Sequence, residues 1–411
     1  MQEEVPKNVK ASESAENMYQ IIAAIEGVRH YYQNSRELDR TADFIAKTMT
    51  SYGLTVREQI FFMDGTDVAF RNIEGSIGPV DTEQAAVLSA HYDTVYTTPG
   101  ANDDGSGIAL LLETAKIIAG LENPPPVYFV AVTLEENSNP AIWGPEYESG
   151  LKHGVFDEEM NYTSWAISQA AKFVSDKVSA VFMSGGTIAE GYRTALSEQG
   201  GTMPENYKAH LEKIIPLYVG IDPVSAIGHL NRIGSSKWVA EAVAAGKKLA
   251  FNIAIDEVGI YSDEPYSQGE LLQEMPIFTV MKNQYRINSD QRLANFVCIL
   301  TDKNSSDLGS AFSRACRADG VEMPSGQISL PMSFEEICTK IPLALSSDHA
   351  CFWQAGIPAI FLFDTSNARD HWVHSRADTI ERIDFDKLAQ LCGAVIRFLE
   401  DCTVWNEADA P

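Results

Sequence analysis

The chain has 411 residues, with 57 acidic against 31 basic side chains and a formal net charge of −26 at pH 7. That balance repels a phosphate backbone and excludes nucleic-acid binding. A hydrophobic fraction of 45% with 21% charged residues suits a globular enzyme with a large core, and no apolar run approaches the ~20 residues that cross a bilayer.

The first residues, Met-Gln-Glu-Glu-Val-Pro, lack the charged-then-apolar pattern of a signal peptide, so the expectation is a cytoplasmic protein or one whose leader has been removed. Residues 15–54 read as helical, with apolar side chains at helical spacing in Ala42 to Met49 and Gly53 as a stop. The pattern then alternates. Three short apolar runs follow, each ending in side chains able to hold a metal: Ala85 to Ala90 before His91, Val127 to Leu134 before Glu135-Glu136, and Leu249 to Ile255 before Asp256. Such runs predict strands buried on both faces of a mostly parallel sheet. Gly105 to Gly120 reads as the crossover helix of a βαβ unit between the first two. A fourth run, Ile357 to Phe363, leads into a loop with His371 and His374.

Ligands of open α/β sheets gather beyond the carboxyl ends of the strands, so these four ends point at one crevice. The gap of 120 positions from Glu136 to Asp256 is far too long for an ordinary crossover. Helix-like pieces, Trp165 to Val174 and Asn206 to Ile214, mark the excess as a largely helical insertion beside the site, a lid or a subunit contact. The six cysteines, Cys298, Cys316, Cys338, Cys351, Cys392 and Cys402, include no Cys-x-x-Cys pair, which argues against finger and redox motifs and leaves disulfides open.

One imidazole and several carboxylates around a turn that opens a helix, His91-Tyr-Asp93 and Gly100-Ala-Asn-Asp103-Asp104-Gly-Ser-Gly107, call for a divalent metal. Two ions about 3.5–4 Å apart need a shared ligand, and a carboxylate supplies one oxygen to each. Asp103 is the candidate bridge, with His91 and Asp256 completing one position and Glu136 and His374 the other. Neighbours at the end of an extended strand point apart, so Glu135 is left as the general base. Asp93 stands where it can accept the other N–H of His91 and fix its tautomer. Plainer readings compete: Asp103 and Asp104 as helix caps, Glu135-Glu136 as a solvated pair, Asp263 or Glu257 in place of Asp256, His371 or His349 in place of His374. Ser106 lacks the surroundings of a nucleophile elbow.

Together His91-x-Asp93, Gly100 to Gly107, Glu135-Glu136, Ile255-Asp256-x-Val-Gly259, Ser347-Asp348-His349 and His374-x-x-x-Asp378-Thr379 resemble the co-catalytic di-zinc aminopeptidases, a family that includes glutamate carboxypeptidases and glutaminyl cyclases. The likeness runs over about 20–136 and 231–400. It implies one catalytic domain over 1–411, a three-layer α/β sandwich of zinc-exopeptidase type, two Zn2+ ions, peptide substrates and a cis bond between Asp103 and Asp104. Members are often secreted or periplasmic. The family's Gly-Leu-x-Gly-Ser turn, usually next to its Glu-Glu, resembles Arg232-Ile-Gly-Ser-Ser, which puts the insertion at 137–231. Glu257 and Ser375 stand where members often have Met and Thr. Asp348 is expected behind the ligands, His349 against substrate or packed, and Arg369, Tyr261 and Trp353 along the pocket. The activity implied is aminopeptidase; the alternatives are a glutaminyl cyclase and a catalytically silent binding protein.

Overall fold

The computed structural model describes residues 11–136, 139–271 and 276–402; the stretch read for a leader and residues 137–138 of the expected insertion lie outside them. The described residues form one nine-stranded sheet: β1 Thr55–Phe61, β2 Phe70–Ile77, β3 Ala85–His91, β4 Val127–Val132, β5 Leu249–Ile255, β6 Met281–Tyr285, β7 Val297–Thr301, β8 Ser325–Ser329 and β9 Ala359–Phe363. Their order is β1-β2-β4-β3-β5-β9-β7-β8-β6. The central four, β4-β3-β5-β9, run parallel, and these are the runs that read as doubly buried. Antiparallel pairs lie toward both flanks.

Side chains alternate across the sheet with a period of two, and each set finds a helical layer. Ala86, Leu88, Phe129, Ile253 and Ile360 pack on one face with helices α1 (Ala11–Ile25), α2 (Tyr31–Ser51), α3 (Gly105–Ala119) and Phe385–Cys402. Val87, Tyr128, Val130 and Phe361 pack on the other with Trp238 and Phe352. The result is the expected three-layer sandwich.

The single helical stretch read over 15–54 is two helices. Gly27 adopts φ +143, and Arg29 is buried with its guanidinium donating to the carbonyls of Tyr92, Ile25, Gly27, Pro99 and Gly100. That network turns the chain before His30 caps α2.

After Glu136 come α4 (Pro140–Lys152), α5 (Trp165–Met183), α6 (Ile188–Gln199) and α7 (Glu205–Ile214). They share their own apolar cluster, including Ile142, Ile167, Leu211 and Ile214. The chain then returns to the point it left: Arg232, Ile233 and Gly234 donate their N–H groups to the carbonyls of Glu135, Leu134 and Thr133 at 2.8, 2.9 and 3.0 Å, and α8 (Ile233–Ala244) begins there. All six cysteines are free thiols. Among the described residues no helix is long and apolar enough to cross a membrane.

Candidate metal centre

Between β4 and β5, β3 marks a switch in strand order: α3 leaves it on one face of the sheet, while α8 packs on the other before entering β5. A crevice opens beyond the carboxyl ends at such a point. His91 ends β3, Glu135 and Glu136 follow β4, Asp256 follows β5, and His374 lies in the loop after β9.

These side chains meet. His91 Nε2 is 3.2 Å from Asp103 Oδ1 and 3.5 Å from Asp256 Oδ1. His374 Nε2 is 3.1 Å from Asp103 Oδ2 and 3.3 Å from Glu136 Oε1. Asp103 therefore presents one oxygen to each imidazole. A carboxylate oxygen of Glu135 lies within 4.8 Å of ligand atoms of His91 and Asp256. Among the open alternatives, His349 is packed elsewhere, His371 is exposed, Asp263 accepts from Asn295 at 2.5 Å, and Glu257 accepts from Asn102 at 2.9 Å.

The donor set fits divalent cations. His91 Nε2 is buried and, among the described residues, makes no hydrogen bond of good geometry, only the contacts to Asp103 and Asp256, which suits a nitrogen that shares a metal with those carboxylates. Ionised Asp103, Glu135, Glu136 and Asp256 would carry four negative charges, the sum that two divalent ions neutralise, and mixed imidazole and carboxylate ligation suits zinc.

Electrostatics agree. Glu136 facing His374 holds that imidazole far above its usual range. Burial opposes a charge on His91, but Asp256 and Asp103 overcome it and raise its pKa too. Burial also works against an ionised Asp103, yet the two imidazoles keep it well below the ordinary carboxylate range. Glu136 is pushed up to about 7 by burial, and Glu135 well above its normal value for the same reason.

A second layer holds this geometry. His91 Nδ1 lies 3.1 Å from the carbonyl of Asp93 and 3.7 Å from its carboxylate, so the expected carboxylate orienter is a backbone carbonyl. The Asp93 carboxylate instead accepts the N–H groups of Glu135 and Glu136, each at 3.2 Å, and so aims both glutamates. Asp104 caps α3 by accepting from Gly107 N at 2.8 Å and also holds His91 N at 3.2 Å. A Cβ on Gly107 would lie 2.3 Å from that carboxylate, which explains the glycine. The Asp103–Asp104 peptide is cis.

Several supports were not foreseen. Asp378 accepts the N–H groups of Asn102 and Asp103 at 2.7 and 3.1 Å, so the His374-x-x-x-Asp378 spacing ties one ligand loop to the other. Asn102 bridges Gly259 N, Glu257 and Asp364. Asn72, on β2, accepts from Thr133 N at 3.1 Å and donates to Gly234 O at 2.8 Å. An isolated Asn carries no sequence signal of such a role.

Asp348 is buried behind the ligands, accepting a hydrogen bond from Ser235, with its pKa raised to about 6 by burial. His349 does not reach the crevice: its ring stacks on Phe361 at 4.5 Å and Nε2 lies 2.8 Å from the Ala344 carbonyl. Arg369 and Trp353 are likewise committed to packing, Arg369 donating to Gln268 and to the carbonyls of Ile260 and Phe296 and Trp353 to the Ala359 carbonyl. Tyr261 lies beneath the Arg369 guanidinium. Buried polar groups need partners, and Arg369, Trp353 and His349 Nε2 find theirs in the core.

Comparison with known proteins places this arrangement. Aminopeptidase YwaD of Bacillus subtilis is 29% identical over 148 residues, 33% of this chain and 32% of that protein; the chain covers about a third of the length of the curated relatives it matches. A glutaminyl cyclase from Porphyromonas gingivalis superposes with a TM-score of 0.54 at 18% identity, covering 94% of this chain and 98% of that one. A Zn-dependent exopeptidase from Parabacteroides distasonis gives 0.52 at 16%, covering 98% and 100%. At these identities the structural likeness concerns the fold. The model of peptidase family M28 matches residues 72–212 and 232–399, most of the chain and every residue of the centre, and this protein belongs to that family.

Proposed function

We propose that this protein is a zinc-dependent exopeptidase, an aminopeptidase that removes N-terminal residues from peptides, with two ions held by His91, Asp256, Glu136, His374 and a bridging Asp103. The supporting observation is Asp103, whose two oxygens face two different imidazoles at 3.2 and 3.1 Å. In this reading 1–411 is one catalytic domain interrupted by 137–231.

Zinc in this position supplies a Lewis acid for the scissile carbonyl and lowers the pKa of water. The chain's own groups do the rest. Glu135 is buried and is held by its backbone N–H, so its carboxylate would take a proton from the attacking water and deliver it to the leaving amine. Its raised pKa, caused chiefly by burial, suits a group that must both accept and give up a proton. Asp93 holds Glu135 and Glu136 at their backbone, which separates the base from the ligand.

The test is metal analysis of purified protein together with hydrolysis of an aminoacyl-p-nitroanilide panel, for the native protein and Glu135→Gln. Two zinc ions per chain and loss of turnover in the variant support the proposal. A zinc-free protein with hydrolysis intact in the variant refutes it. Ring closure of a Gln-initiated peptide, without release of free glutamine, would mark a glutaminyl cyclase, and a zinc-loaded protein inert to the whole panel would mark a binding protein.

A further inference from the structure

The 137–231 insertion touches the walls of the crevice at a defined place. Its segment 156–162 is a compact turn: Phe156 and Tyr162 form a β-bridge, and the Asp157 carboxylate accepts the N–H groups of Glu159 and Asn161 at 3.0 and 2.9 Å. On one side the hydroxyls of Tyr96 and Tyr147 donate to the carbonyl of Glu158 at 3.1 and 3.2 Å. Tyr96 belongs to the loop between His91 and Asp103. Stacked rings run from it through Trp143 and Tyr147 to Phe156, with centroids 5.1, 5.0 and 5.7 Å apart. This side is fixed.

On the other side stands Arg376, two residues beyond His374. It donates to the Glu159 carbonyl at 3.1 Å and lies 3.7 Å from its carboxylate. The same short turn is thus joined to the loop carrying His91 and Asp103 and to the loop carrying His374, whose ligand atoms meet at 3.1 Å. The turn therefore bridges the two loops.

We propose that residues 156–162 are a strap limiting the length of peptide the crevice accepts, with Arg376 and Glu159 as its latch. The inference rests on the peptidase reading above. The two faces of the strap differ in strength. The Tyr96 side is built of packed rings and buried hydroxyls, whereas the latch side chains are 59% and 70% exposed. An ion pair so exposed shifts an equilibrium by no more than about 5-fold, so the latch is the end that opens.

The experiment compares kcat/KM of zinc-loaded full-length enzyme on an aminoacyl-p-nitroanilide and on peptides of increasing length sharing the same first residue. Arg376→Ala and Glu159→Ala are expected to raise the long-to-short ratio about 2- to 5-fold, and replacing 157–161 by Gly-Gly to raise it further. A ratio unchanged in all three variants, with the short substrate still hydrolysed, overturns the strap. In parallel, a Glu-specific endoprotease should cut after Glu158 or Glu159 faster in Arg376→Ala than in the native chain. If the native protein hydrolyses nothing, the peptidase reading fails on its own account, and equal endoprotease rates then refute the latch.

Discussion

Gly234→Ala probes how the chain entering α8 holds Glu135 and Glu136 at the end of β4. A Cβ at this position would lie 2.1 Å from the Thr133 carbonyl, 2.6 Å from Asn72 Oδ1 and 2.8 Å from Thr133 N. Ordinary contact begins near 3.4 Å, so the start of α8 and the end of β4 must separate by about 1.3 Å. The obstacles are backbone and a buried amide already engaged in three hydrogen bonds, so neither can swing aside. Overpacking of this kind costs about 1–3 kcal/mol. The larger effect falls on catalysis: Gly234, Ile233 and Arg232 are bonded in register to Thr133, Leu134 and Glu135, and a shift there carries Glu135 with it. Misplacing a catalytic group by about 1 Å lowers turnover roughly 100-fold. Steady-state kinetics on an aminoacyl-p-nitroanilide, with zinc content and thermal melting measured on the same sample, separate misplacement from unfolding. A folded, zinc-replete Gly234→Ala enzyme with activity within a few-fold of native refutes the reasoning.

Three further outcomes are expected. Glu135→Gln keeps its zinc and loses about 10²- to 10⁴-fold in kcat, the contribution of a positioned general base; equal loss of zinc would mean that Glu135 is a ligand. Carboxylate partners raise the pKa values of His91 and His374, which favours their protonated forms, so zinc loading is expected to release protons and its apparent affinity to fall as pH falls. Calorimetry in buffers of different ionisation enthalpy counts those protons, and a count of zero contradicts the electrostatic reading. Burial lowers His349 to about 3, and His30 and His210 to about 4; between those values and 6.5 the unfolded chain binds more protons, so stability decreases as pH drops through that window by up to about 1.4 kcal/mol per pH unit for each histidine. Denaturant melts from pH 6.5 to 4.5 read this slope, and His210→Gln should make it shallower.

Much of the centre was legible in the order of residues. His91, Glu135-Glu136 and Asp256 each follow an apolar run that becomes a parallel strand, and carboxyl ends of neighbouring parallel strands must lie together. The helix after Asp104 was readable from its glycines and apolar spacing. The partners were not readable, because Asn72, Asn102 and Asp378 act on backbone groups far away in sequence, and a lone amide or acid has no periodicity to betray its partner. His349 was open between substrate and packing, and only the structure decided, its ring finding Phe361 and the Ala344 carbonyl.

The amino-acid order by itself determined which strands are doubly buried, where each one stops and which metal-competent side chain follows, because burial demands apolar runs and polar groups must wait for the sheet's edge. Only the tertiary structure decided that the Asp93 carboxylate holds the two glutamates while its carbonyl lies against His91, and that the turn at 156–162 is bonded both to Tyr96 and to Arg376. Those choices depend on atoms a few ångströms apart in space and tens of residues apart along the chain, where packing selects among partners of equal chemistry.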